Sequence, residues 1–176
     1  NNEIVGDINI KPFFISSNLN LQNIGLKGFL DNNSVLINLI KSEILNNKNL
    51  NGKISVILDG LYDLRHVDKI KFDIQLEEGL IFISNLNFVF KNSVEFNFNN
   101  VSVIVDDNKL KFIGDVILDF KDIQNFYNHF QIIRNYRKNI YQITTNFIFN
   151  FDDELFEFDD LEISGVDKKI SDKYLN

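Results

Sequence analysis

A chain of 176 residues, 44% hydrophobic and 24% charged, is long enough for one domain with a real core and too apolar to remain disordered. Its net charge of −7 repels nucleic-acid phosphates and leaves no basic membrane-surface patch, which argues against DNA or RNA as a partner. The absence of cysteine removes disulfides and thiolate metal sites, and no apolar run approaches the ~18–20 residues of a spanning helix.

Taken in chain order, most segments alternate apolar and polar residues with period two, the signature of half-buried strands. "EIVGDINI" and "FISSNLNLQNI" do so loosely. "NSVLINLIKSEILNN" then switches period: Val35, Leu36, Leu39, Ile40 and Ile44 have helical spacing, and Asn33 or Ser34 can cap the N-terminus, which predicts a helix over 34–46. "KISVILDG" begins after Asn51-Gly52. "KIKFDIQL" is the clearest strand, with Ile70, Phe72, Ile74 and Leu76 on one face and Lys69, Lys71, Asp73 and Gln75 on the other. "LIFIS" follows the turn Glu77-Glu78-Gly79, and "LNFVF" comes directly after it. "SVEFNF" puts Val94, Phe96 and Phe98 on one face, and Asn99-Asn100 reads as a turn before "VSVIV". Asp106-Asp107-Asn108 reads as another, before "KLKFIGDVILDF".

"DIQNFYNHFQIIRNYRKN" is again helical in spacing. Ile123, Phe126, Tyr127, Phe130 and Ile133 form one stripe, and Asp122 is a candidate N-cap. Arg134, Arg137 and Lys138 crowd the last turn, where the helix dipole favours cations. A helix over 122–137 is predicted. "IYQITTNFIFNF" returns to period two with Ile143, Thr145, Phe147, Phe149 and Phe151 on one face. Beyond an acidic turn, "LFEFDDLEIS" places Phe156 and Phe158 together, then changes parity before Leu161 and Ile163. A β-bulge at Asp159-Asp160 would restore a common face. Residues 166–176 form a polar tail.

Short connections force antiparallel neighbours, because a parallel crossover needs about a dozen residues. The expected fold is therefore mainly β: an antiparallel, strongly curved meander sheet of about ten strands, groove-like or partly closed, with two helices. It occupies a single domain over 1–165. Heavy use of Asn, Ile, Lys and Phe, with no Ala, points to A/T-rich coding, so phenylalanine placement carries more weight than phenylalanine number.

Chemistry-bearing motifs are sparse. His66 and His129 read as two unrelated surface histidines, the first in a loop and the second on the polar side of the predicted helix. Asp106-Asp107, Asp152-Asp153 and Asp159-Asp160 match no calcium loop, two of the three lie at strand ends where Asp makes turns, and the glycines are scattered singly, so neither a metal nor a cofactor is expected. Arg134, Arg137 and Lys138 either cap the helix or contact a lipid headgroup or acidic partner. Without convergent polar groups an enzyme is not expected. The informative feature is the apolar face, to which Phe72, Ile74, Phe96, Phe98, Val103, Phe112, Phe147, Phe149, Phe156 and Phe158 are assigned. It can be closed by a second layer or a barrel, or left open for an acyl chain.

From "GDVILDFKDIQNFYNHFQ" through "IIRNYRKNIYQITTNFIFNFDDELFEFDDLEISG" the chain resembles the C-terminal region of AsmA-like proteins of α-proteobacteria. "NNSVLINLIKSEILNNKNLNGKISVILDGL" followed by "KIKFDIQLEEGLIFISN" resembles the part that precedes it, so the likeness runs over positions 25–165. Its motifs are patterns of apolar and turn residues. The resemblance implies a fragment of a longer periplasmic protein, tethered to the inner membrane by an N-terminal helix missing here. It also implies a β groove that shields phospholipid acyl chains during transfer between inner and outer membranes, or otherwise serves outer-membrane biogenesis. It carries over no catalytic residues. The alternative is a non-catalytic structural or interaction module in envelope assembly, binding protein partners through a sheet edge.

Overall fold

The computed structural model describes residues 2–11, 13–28 and 31–165. The polar tail expected at 166–176 lies outside the described residues. The strands are β1 (Glu3–Ile10), β2 (Phe13–Gln22), β3 (Asn51–Asp59), β4 (Val67–Glu77), β5 (Leu80–Phe90), β6 (Val94–Asp106), β7 (Lys109–Phe120), β8 (Gln142–Asn150) and β9 (Leu155–Ser164). They form one sheet in sequence order, with β1 and β9 at its two edges, so the sheet does not close. The mainly-β expectation is met.

The sheet is mixed rather than wholly antiparallel. β2 and β3 run parallel, with Phe14 opposite Asn51 and Gln22 opposite Asp59. The physical reason is the long connection over 23–50, which can return the chain to the starting end of the sheet. All other neighbours are antiparallel, and two of their hairpins are closed by residue pairs in the left-handed region: Glu78-Gly79 and Asp107-Asn108.

Nine strands stand where about ten were expected, because one apparent turn and one join between two consecutive segments are bulges. Asn99-Asn100 does not reverse the chain. Asn100 takes φ +54 inside β6 and shifts its register against β7 between Asn99 and Ser102. Asn85, φ +55, does the same in β5 between "LIFIS" and "LNFVF". Asparagine tolerates the left-handed region in a bulge as readily as in a turn, so local sequence does not separate the two. Gly114 sits opposite the β6 bulge, where a Cβ would lie 2.9 Å from the Asn99 carbonyl oxygen. The bulge foreseen at Asp159-Asp160 is present: Asp160 takes φ +51, and the register shifts between Thr144 and Asn146. Bulges bend their strands and raise the local twist, so these three, in β5, β6 and β9, curve the sheet.

Both helices are shorter than predicted. Ser34 caps α1 (Val35–Lys41) by accepting a bond from the Ile37 N–H at 3.2 Å. The helix ends at Ser42 because Glu43 takes φ +57, and only a 3-10 turn, Ile44–Asn46, follows. Asp122 caps α2 (Ile123–His129) through the Asn125 N–H at 2.9 Å. It ends in a Schellman motif: Ile132 N–H donates to the Tyr127 carbonyl at 2.9 Å and Gln131 N–H to that of Asn128 at 3.3 Å, with Gln131 at φ +54. Arg134 lies in a separate 3-10 turn, and Ile133 and Phe130 are exposed, so the predicted stripe buries only its first members.

The 23–50 connection lies on the apolar face. Ile37 of α1 is 1% exposed and packs against Leu76, Ile81, Val103, Leu110 and Phe151, with Ile40 and Leu45 beside it. Lys41, at the end of α1, pairs with Asp152 in the β8–β9 turn, and the other Asp152 oxygen accepts the Leu110 N–H at 3.0 Å. The Lys41 ammonium beside it, helped by that amide and opposed by burial, holds the Asp152 carboxyl below its ordinary pKa. Asp152→Ala is expected to cost about 1–2 kcal/mol at pH 7, measured by chemical denaturation. A carboxylate with a depressed folded pKa stabilises above its unfolded value, 3.8, and that share is lost as pH falls through the lower folded value. The gap between wild type and variant should therefore close only below pH 3.8.

Candidate functional site, an apolar sheet face

Register alone places the ten assigned residues on one face. Phe72 and Ile74 stand opposite Val56 and Ile54, and Ile74 also faces Ile83. Phe96 and Phe98 stand opposite Phe88 and Leu86, then Leu118 and Val116. Val103 faces Phe112, Phe112 faces Phe149, and Phe149 faces Phe156. Phe147 faces Phe158. The opposite face carries polar pairs: Lys53 with Asp73 at 3.0 Å on β3 and β4, and Gln142 Nε2 donating to Asp119 at 2.7 Å on β8 and β7. That chemistry keeps water on the outer side and selects the inner side for burial.

Cover over the apolar face is uneven. α1 roofs one end of the strands. Leu26 and Leu61, in the segments before β3 and before β4, roof the other end over Val56, Leu58, Val67 and Ile70. α2 covers β5 and β7 near Phe90 and Phe120: Phe126 meets Phe120 edge-on at 5.3 Å, and Phe130 stacks on Phe90 at 5.8 Å. It does not reach the phenylalanine hairpin of β8 and β9. There Phe147 is 5% exposed, closed over by Val101, Val116 and their neighbours in the sheet. Phe149 is half-buried and stacks on Phe156 at 4.3 Å. Phe156 and Phe158 lie nearly parallel at 5.7 Å and remain 50% and 62% exposed. The ten residues therefore divide. Val103 and Phe147 are core; Phe72, Ile74, Phe96, Phe98, Phe112 and Phe149 are half-covered; Phe156 and Phe158 are open.

A cavity of about 600 Å³ opens beside this hairpin. Leu26, Leu64, Phe149 and Phe151 form its apolar wall. Asp31, Asp63 and Glu154, with Lys27, stand among its polar residues. Asn32 is fixed there because its Nδ2 donates to the Phe151 carbonyl at 3.0 Å. Asp63 accepts the Lys27 N–H at 2.7 Å. That amide, against burial and aided by the Leu26 amide, holds the Asp63 carboxyl below its ordinary pKa.

The basic trio is not a cluster. Arg137 is spent within its own segment: Nε donates to the Ile132 carbonyl at 2.9 Å, a guanidinium nitrogen to Asn128 at 2.8 Å, and the group lies 5.8 Å above the Tyr127 ring. The Lys138 backbone brackets the buried Tyr127 hydroxyl, which donates to the Lys138 carbonyl at 2.6 Å and accepts its N–H at 3.0 Å. With α2 ended at His129, none of the three occupies its last turn, and Arg134 sits in a single 3-10 turn too short to carry the dipole argument.

The two histidines are not unrelated. Their rings lie 5.1 Å apart, edge to face, because the turn before β4 and the end of α2 meet over Phe90. Lys91 holds the junction: its N–H donates to the His66 carbonyl at 2.9 Å, and its Nζ lies 2.8 Å from His129 Nδ1. Desolvation first, then Lys91 and His66, keep the His129 imidazole below its ordinary pKa. No local spacing could have announced this contact, since it depends on two loops meeting across the sheet. The cavity was missed for the same reason. Among the described residues no three His, Asp or Glu side chains are placed to hold a metal ion. No helix among them is long and apolar enough to cross a membrane. No family model, curated protein or solved structure matches the chain.

Proposed function

We propose that the chain is a segment of an AsmA-like envelope protein whose concave apolar face screens phospholipid acyl chains as they pass between inner and outer membranes. In this reading it works in the periplasm of a Gram-negative cell, tethered to the inner membrane by an anchor outside the sequence. The carrying observation is the open end of an unevenly covered face: Phe156 and Phe158 stack with Phe149 and stay exposed on the edge hairpin, which α1 meets at its turn end, at Phe151 and Asp152. Apolar surface left in water costs about 25 cal/mol per Å², so an acyl chain laid along these rings is stabilised without any polar anchor. Such a wall binds every tail alike and lets it move on. Native mass spectrometry of the protein purified from a Gram-negative host is expected to retain phospholipid masses. Protein that remains folded and carries no lipid, even after incubation with phospholipid vesicles, would sink the proposal.

A second reading, docking of a protein strand, is favoured by the β9 edge. This strand carries Glu157, Asp159, Asp160 and Glu162 away from its phenylalanines, and no strand among the described residues pairs with its outer side. A partner adding there would have to alternate apolar and basic residues.

A further inference from the structure

We infer that Lys91 and His129 form a proton-sensitive clasp, which holds the C-terminal turn of α2 down on Phe90 and opens when His129 takes up a proton. The inference stands apart from the lipid reading, since it concerns how part of the apolar face is covered and not what lies on it. Lys91 is the hub of the junction. It sits in the left-handed region, φ +48, in the turn between β5 and β6. Its N–H donates to the His66 carbonyl at 2.9 Å, and its carbonyl accepts Asn125 Nδ2 from the first turn of α2 at 3.2 Å. With its backbone fixed on both sides, its ammonium reaches the far end of the same helix, 2.8 Å from His129 Nδ1. His129 meets the Phe90 ring edge-on at 5.3 Å, and Phe130 stacks on that ring.

An ammonium brings three donors and no acceptor, so the ring nitrogen that meets it must carry no proton. The clasp therefore exists only while the imidazole is neutral. A proton on Nδ1 removes the acceptor and sets two cations against each other. The charges that act on the ring are Lys91, from the β5–β6 turn, and His66, from the turn before β4, whose ring lies 5.1 Å away. Beneath it β5 presents the Phe90 ring, and Arg137, beyond α2, is held at Asn128. The acids of this region are engaged elsewhere: Asp122 caps the opposite end of α2, and Glu95 pairs with Lys121 at 3.1 Å. Desolvation first, then Lys91 and His66, keep the ring below its ordinary value of 6.5. The clasp is thus whole above pH 6.5, weakens as pH falls from there, and is lost once pH passes the lower folded value. Phe90 packs with Val67 and its neighbours on the apolar face, so opening the clasp widens the uncovered part of that face.

The test is amide hydrogen exchange of the full chain, read residue by residue by NMR at about pH 7.5 and about pH 5, on either side of the imidazole range. Each rate is divided by the intrinsic chemical rate at that pH. The Phe130 and Ile132 N–H groups donate to the Phe126 and Tyr127 carbonyls at the C-terminal end of α2. They are expected to lose protection roughly tenfold on acidification, the factor for one hydrogen bond to a charged group. The Phe126 N–H, which donates to the Asp122 carbonyl at the other end, should change about twofold or less. His129→Gln keeps an acceptor for Lys91 and cannot take up the proton. Its protection should match wild type at the higher pH and persist at the lower. Lys91→Met removes the donor and should show the lower protection at both. Wild-type protection that does not change with pH would overturn the clasp. An equal fall in His129→Gln would assign the effect to another group and overturn it too. So would an equal fall at Phe126, or full protection in Lys91→Met at the higher pH.

Discussion

Phe147→Asp is expected to abolish folding, whereas Phe158→Asp is expected to fold and to lose contact with lipid. The two side chains face each other across one register pair, so sequence alternation treats them as equals. Burial separates them. Phe147 is 5% exposed and packs with Val101, Val116 and Phe98, whose ring meets it edge-on at 5.4 Å. Truncating such a phenylalanine costs about 3–5 kcal/mol, and an unpaired carboxylate in its place adds the penalty of a buried charge. The sum rivals the whole stability of an ordinary domain, about 5–15 kcal/mol. Phe158, 62% exposed on an edge strand, gives up little burial, and its replacement should change stability by about 1 kcal/mol or less. Thermal unfolding separates the two variants. Photo-crosslinking to phospholipid, from a probe placed beside Phe156, then reads function in the folded one. A folded Phe158→Asp that crosslinks as well as wild type would show that lipid does not lie on this face.

The same hairpin shows what was legible. Phe147 to Phe158 are local in sequence, so alternation set their face, and the parity break before Leu161 required the bulge that Asp160 makes. The ten-residue apolar face followed from the same rule applied strand by strand. Failures came where two structures share one local chemistry or where the partner is distant. Asn100 takes the backbone angles that a turn and a bulge both use, and only pairing with Gly114 and its neighbours on β7 decides between them. Gln131 ends α2 without the glycine that usually marks a C-terminus, so the apolar spacing ran on to Ile133. The parallel pairing of β2 with β3 depends on where the 23–50 segment goes. That segment, the His66–His129 contact and the cavity all lie between parts of the chain far apart in sequence. Which residues were apolar could therefore be read, and which were covered could not.

Ile37→Ala is expected to cost about 2–5 kcal/mol and to uncover the roofed end of the face. α1 has seven residues, below the length at which a helix persists in water, so it exists because of what it packs against. Ile37 is 1% exposed in one cluster with Leu110 and Phe151, with Ile40 packed beside it, while Val35 on the same helix faces solvent. Among the described residues the Lys41–Asp152 pair and the Asn32 bond to Phe151 also tie this segment to the β8–β9 hairpin. Each contributes about 1–2 kcal/mol, too little to hold the helix once the cavity under Ile37 is left open. Hydrogen exchange should show protection lost over 35–46 well before β6 and β7 open, because those central strands keep both neighbours. Leu76, Ile81, Val103 and Leu110 would then meet water, and an apolar dye should bind more strongly than to wild type. Uniform loss of protection across sheet and helix together would show instead that α1 belongs to the same cooperative unit as the sheet, and that the width of the open face is fixed rather than set by one side chain.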